Sequence, residues 1–268
     1  MSTDRPRVAV VTGGGRGLGA AMALGLARAG YRVVVTAARE RKEIDAVAVQ
    51  APPDQIVPVI DDVTREDDCE RVVETAVTRF GGLDILVNNA GRGMKYISDR
   101  FMTEPTRFWE ADAKAWRLVI DTNVNGPFFM ARAAVRPMLR NNWGRIINIS
   151  MNRDTMQRTG FSPYGPSKAA VESETIIWSK DLAGSGVTVN ALLPGGATLT
   201  GMIPPGYPDR LRSILLDPAI MIPPLLWLVS SAADNVTGKR VSANRWPSKV
   251  DHPAALEVAI EDAGWAPP

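Results

Sequence analysis

Residues 12–19 read Thr-Gly-Gly-Gly-Arg-Gly-Leu-Gly, and the rest of the chain is read outward from them. The run follows an apolar strand pattern, Val8 to Val11, and leads into a helical one, Ala20 to Ala29, so it forms the turn of a strand–turn–helix unit. Glycines at 13, 17 and 19 let the backbone turn tightly and approach a pyrophosphate, with Arg16 and Leu18 set between them. Free N–H groups and the positive dipole end at the start of the helix favour the anion. A glycine-rich loop without a ligand has the same letters, so the reading depends on what lies downstream.

Composition narrows the field. With 268 residues, 45% hydrophobic and 22% charged, the chain has the makings of one large α/β domain spanning 1–268. The formal charge of +2, from 31 basic and 29 acidic residues, gives no nucleic-acid stripe and no membrane-binding face, which leaves small molecules as the expected partners. Cys69 is the single cysteine, so neither a disulfide framework nor a cysteine-based metal site is expected, and no apolar run of about 18 residues exists to span a bilayer. His252, the single histidine, lies next to Pro253 without companion ligands, and no metal is predicted. Met1 to Arg7 lacks a signal-peptide apolar segment, which predicts a cytoplasmic protein.

Further along, strand patterns fall at 31–36, 57–60, 83–87, 145–150 and 187–192, and helical ones at about 66–80, 112–140, 162–183 and 225–230. Segment 37–55 is a weak helix ending at Pro52-Pro53, and Pro127 and Pro137 predict a bend or break within 112–140. Short apolar strands alternating with helices imply a parallel, doubly wound sheet covered on both faces, with ligands beyond the carboxyl ends of the strands.

Taken together, T-G-G-G-R-G-L-G, D-D-V-T at 61–64, N-N-A-G at 88–91, N-V-N-G at 123–126, Y-G-P-S-K at 164–168 and P-G at 194–195 resemble the motifs of the short-chain dehydrogenase/reductase family, in its order and roughly its spacing, over about residues 6–241. The resemblance implies a Rossmann-type fold, a nicotinamide cofactor and hydride transfer to or from a small organic substrate. It also implies homo-oligomers, usually tetramers (a dimer being the smaller alternative), packed through the helices at about 112–140 and 164–183. By the same resemblance Asp62 and Val63 lie at the adenine, Asn89, Ala90 and Gly91 on the adenosine side, and Pro194, Gly195, Ala197 and Thr198 along the cofactor. Lys168 would hold the cofactor ribose, and Asn123 would keep a water-linked proton path. Asp61 reads equally well as a loop charge.

Physical chemistry supports the central pair independently. Tyr164 and Lys168, four apart on a helix, share one face. A tyrosine with a pKa near 10 is a poor acid or base at neutral pH, and a nearby ammonium stabilises its phenolate, so Tyr164 is the expected proton donor. Where NAD-preferring folds carry an acidic residue at the end of the second strand, Thr36-Ala37-Ala38-Arg39 offers no carboxylate before Glu40. Arg16 and Arg39 suit a 2′-phosphate, so NADP(H) is expected to be preferred over NAD(H).

Departures from the family pattern fall in three places. A serine is usual thirteen residues before the catalytic tyrosine, where it bonds the substrate oxygen, and here that position is Met151. Ser150 can take the role only if the strand bulges or twists, because neighbouring strand residues point to opposite faces; Asn152 and Thr155 are the other candidates. The segment 198–224, with Met202, Ile203 and Tyr207, stands where the family has its substrate lid, and Phe101, Met102, Met151, Met156 and Phe161 are candidate pocket residues or simple core. After Val236-Thr237-Gly238 the usual Asp-Gly-Gly region reads Asn244-Arg245-Trp246, followed by a tail, 247–268, that would cover the site or a neighbouring subunit. The reading is an NADP(H)-dependent oxidoreductase acting on a carbonyl or alcohol of a moderately apolar small molecule. The alternatives are reduction of a C=N or C=C bond, and a non-catalytic NADP(H)-binding redox sensor, against which Tyr164 and Lys168 argue.

Overall fold

A computed structural model describes residues 5–203, 209–249 and 256–265. In chain order the regular elements are β1 Val8–Val11, α1 Gly17–Arg28, β2 Arg32–Ala37, α2 Arg41–Ala48, β3 Ile56–Ile60, α3 Glu66–Phe80 and β4 Ile85–Asn88. Then come α4 Ala113–Ile120, α5 Gly126–Arg140, β5 Gly144–Ile149, α6 Arg153–Met156, α7 Tyr164–Asp181, β6 Val187–Leu193, α8 Ile222–Leu228, β7 Lys239–Ser242 and β8 Ile260–Asp262. The strands form one sheet in the order β3-β2-β1-β4-β5-β6-β7-β8, parallel throughout except for β8. Connections run outward in opposite directions from β1 and β4, so a crevice opens at the carboxyl ends of those two strands. No helix among the described residues is long and apolar enough to cross a membrane.

Strand alternation explains the two-layer core. Ala9, Val11, Val33, Val35, Ile85 and Val87 face Met22 and Leu26 of α1 and Leu225 and Leu228 of α8. Val8, Val10, Val34 and Leu86 face Cys69 and Val72 of α3 and Met130 and Met138 of α5 on the other side. Fully burying side chains of this size is worth roughly 1.5–3 kcal/mol each, which outweighs the weak propensity of a four-residue strand such as β1. Helix ends follow local chemistry: the Asp112 carboxylate accepts from the N–H groups of Lys114 and Ala115 to start α4, and Gly81, at φ +82, closes α3.

The expected break in 112–140 is a π-type turn, Asp121–Asn125, between α4 and α5. Pro127 has no N–H to return to the carbonyl of Asn123, so the helical ladder widens there. Pro137 causes no break and sits inside α5, one turn before its end. Strand β7 and the edge strand β8 add to the six strands read from sequence. The described portion of the tail extends the sheet as β8, while His252 and Tyr207 fall outside the described residues.

Candidate active site

At the crevice, the glycine loop is clamped to the segment after β4. Thr12 Oγ1 accepts from the N–H groups of Asn89 and Ala90, each at 3.0 Å, and Asn89 Nδ2 donates to the carbonyls of Thr12 at 2.8 Å and Gly13 at 3.0 Å. A Cβ on Gly19 would lie 2.3 Å from the Gly13 carbonyl oxygen, so only glycine permits this approach. Gly13 itself has φ +61. The amide hydrogens of Asn89 go to the loop, whose shape it fixes. The first turn of α1 has neither an acidic residue nor a side-chain cap, so its N–H groups remain available to an anion. These residues fit a dinucleotide pyrophosphate.

Beyond β2, Arg39 is exposed and forms no ion pair among the described residues. Arg16 pairs with Glu43 at 3.2 Å, a carboxylate that sequence reading did not connect with this loop. Asp62 Oδ1 accepts from the N–H and hydroxyl of Thr64, and Val63 is buried. Asp61 is no loop charge: it is buried, with neither carboxylate oxygen hydrogen-bonded, and burial, reinforced by Asp68, pushes its pKa up to about 7.

Tyr164, Lys168 and Glu172 line one face of α7. Lys168 Nζ donates to the Ile149 carbonyl at 2.7 Å and lies near Gly91, where a Cβ would be 3.9 Å away. Burial lowers the Lys168 pKa to about 8, and burial alone raises that of Tyr164 to about 12. The expected lowering of the tyrosine by the lysine is therefore absent, because Lys168 is turned to a strand carbonyl and desolvation dominates.

Asn123, fully buried, ties three elements together. Its Nδ2 donates to Arg92 O at 3.0 Å and Ser167 Oγ at 2.9 Å, and its Oδ1 accepts from Arg92 N at 2.8 Å. Ser167 Oγ in turn donates to the Tyr164 carbonyl at 2.7 Å. Asn123 and Ser167 thereby fix the start of α7. Ser167 was missed in the sequence reading, although it stands within Y-G-P-S-K.

Ser150 does not replace the missing serine. Its N–H continues the ladder to Leu192 O at 2.9 Å, so no bulge turns its side chain round. Its hydroxyl donates to the buried Glu172 carboxylate at 2.5 Å. Asn152 Nδ2 is likewise committed, to Gly195 O at 3.1 Å.

The C-terminal elements hold this loop in place. Glu172 also accepts from Gly264 N–H at 2.8 Å and lies 3.6 Å from Arg240, which donates to Met151 O at 2.9 Å. Arg153 donates to Gly264 O, Asp262 O and Glu261, each at 2.8 Å. Asn244 donates to Gly195 O at 3.1 Å and its N–H to Pro194 O, also at 3.1 Å, so the region that departs from the family pattern supports the P-G turn. After the P-G turn, Ala197, Thr198 and Leu199 are bridged to Leu216, and the chain continues with Thr200 against Gly17 and Met202 against Gly93. Lys95 Nζ donates to Gly201 O at 2.5 Å.

Comparison with known proteins agrees with this fold. The family model described as short chain dehydrogenase matches residues 7–209. A 3-oxoacyl-[acyl-carrier-protein] reductase of Synechocystis sp. is 37% identical over 197 residues, covering 73% of this chain and 76% of that protein. An uncharacterized oxidoreductase of Staphylococcus aureus is 33% identical over 195 residues, 73% and 80% of the two chains. The crystal structure of a 3-ketoacyl-(acyl-carrier-protein) reductase from Brucella melitensis complexed with NADH superimposes with a TM-score of 0.76 at 28% identity, covering 87% of this chain and 94% of that one. The matched Rossmann-type sheet places the chain among the oxidoreductases of a family that binds a nicotinamide cofactor. The chain belongs to the short-chain dehydrogenase/reductase family.

Proposed function

We propose that the protein is an NADP(H)-dependent oxidoreductase that transfers hydride between the nicotinamide and a carbonyl or alcohol of a moderately apolar small molecule. The observation that carries this reading is Tyr164 and Lys168 on one face of α7, with the lysine anchored at Ile149, the last residue of β5. When bound, the cofactor supplies or accepts the hydride. With its pKa raised to about 12, Tyr164 keeps its proton throughout the neutral range, the protonation state a proton donor requires. Preference for NADP(H) is supported by the absence of a carboxylate over 36–39 and by Arg39, which forms no ion pair among the described residues, and Glu43 opposes it by holding Arg16. The names of the Synechocystis and Brucella relatives support a ketone as the reacting group. Self-association through α4, α5 and α7 is supported by the exposed Leu118, Phe128 and Ile177 on those helices.

A second reading is favoured by one observation: Met151 has no proton to donate and Ser150 is committed to Glu172, so a C=N bond, whose reduction develops charge on nitrogen rather than oxygen, suits the site. Substrate-dependent oxidation of NADPH across a panel of ketones, aldehydes, imines and enones separates the two.

A further inference from the structure

Two segments that the proposed chemistry leaves unused, 106–109 between β4 and α4 and 156–162 ahead of Tyr164, enclose a cleft of about 290 Å³. They are locked together, for a Cβ on Gly160 would lie 2.7 Å from Pro105 Cβ. Phe108, Trp109, Met156 and Phe161 supply apolar wall, Arg107 and Arg158 supply charge, and no acidic residue lines the cleft.

The arginines are oriented but not neutralised. Arg158 lies 5.1 Å from the Phe161 ring centroid and Arg107 5.9 Å from that of Trp109. Stacking of this kind steadies a guanidinium while leaving its N–H fork open to a carboxylate. Neither forms an ion pair among the described residues, whereas nearby Arg100 and Arg153 pair with Glu104 at 3.1 Å and Glu261 at 2.8 Å. Phe108 and Trp109 pack edge to face at 5.0 Å, yet each is 67% exposed, an apolar surface adjoining unneutralised cations.

We infer that this cleft binds a small apolar carboxylate, with the carboxylate on Arg107 and Arg158 and the apolar body against Phe108 and Trp109. The volume lies at the lower end of ligand pockets, which suits a molecule of about one ring. The carboxylate is borne either by the tail of the carbonyl substrate, in which case the inference rests on the oxidoreductase reading, or by a separate acid. Binding is measured without turnover, so the two readings fail separately.

The test is an NMR titration of the full chain with phenylacetate and, as a neutral isostere, phenylacetamide. Phenylacetate is expected to bind about tenfold more tightly or better, a difference fitting charge-assisted bonds to arginine. The preference should fall below about threefold in the Arg107→Gln/Arg158→Gln double variant, and Trp109→Ala should weaken both probes. NADPH affinity and Tm of both variants should match the wild type. Equal affinities for the two probes, no binding of either, or a preference kept by the double variant would overturn the inference. Phenylacetate inhibition competitive with the carbonyl substrate and lost in the double variant would support the substrate-tail form; noncompetitive inhibition lost in the same way would support the separate acid.

Discussion

The hydroxyl of Ser150 donates to the carboxylate of Glu172 across 2.5 Å, and both side chains are buried. A buried carboxylate depends on its hydrogen bonds, and this one has another from Gly264 N–H with Arg240 nearby. Ser150→Ala should therefore lower stability by about 1.5–3 kcal/mol, the worth of a hydrogen bond to a charged group, and leave kcat nearly unchanged. Denaturant titration beside steady-state kinetics checks it. A hundredfold loss of kcat at unchanged stability would return the hydroxyl to the active site.

Met151→Ser should raise ketone turnover by about tenfold or more, because it offers a hydroxyl where charge develops on the substrate oxygen; losing one such donor elsewhere costs about 10²–10³. If ketone turnover stays flat while imines react faster in both forms, the second reading gains.

Asp61 makes stability depend on pH. Its folded pKa, about 7, lies above the unfolded 3.8, so between those values the unfolded chain has released the proton that the folded chain retains. The stabilisation is full below about pH 4 and is lost as pH rises to about 7, by roughly 4 kcal/mol in all at 1.36 kcal/mol per pH unit. Asp61→Asn removes this dependence. Denaturation at pH 4.5 and 7.5 should show the variant gaining on the wild type at the higher pH, and a constant difference would contradict the assignment.

Cofactor choice should turn on two charges near the glycine loop. Arg39→Ala should weaken NADPH about tenfold and leave NADH unchanged, while Glu43→Gln should tighten NADPH by releasing Arg16. Calorimetric titration of both cofactors decides. Parallel losses for NADPH and NADH in Arg39→Ala would place that arginine away from the 2′-phosphate.

Much of the scaffold was legible because its signals are local. The branched runs Val8–Val11 and Val187–Leu193 and the strand-to-helix glycine loop each carry their pattern within a few residues. Strands β7 and β8 were not, since Lys239-Arg240 and Glu261-Asp262 look polar until Arg240 meets Glu172 and Lys239 meets Asp262. The direction of Ser150 could be stated only as a condition on strand regularity, because its partner lies 22 residues on, in α7. Arg16 likewise read as an available cation because Glu43, 27 residues away, reaches it only in the fold. Asp61 looked like a loop charge because nothing in D-D-V-T distinguishes the buried carboxylate from its neighbour.

The most direct test of the central claim is kcat of Tyr164→Phe on the best carbonyl substrate, measured with NADPH affinity on the same preparation. The account predicts a loss of roughly 10² or more in kcat, as expected for a positioned general acid, with cofactor affinity unchanged. Turnover near the wild-type value with the phenylalanine in place would contradict it and assign the proton to another group.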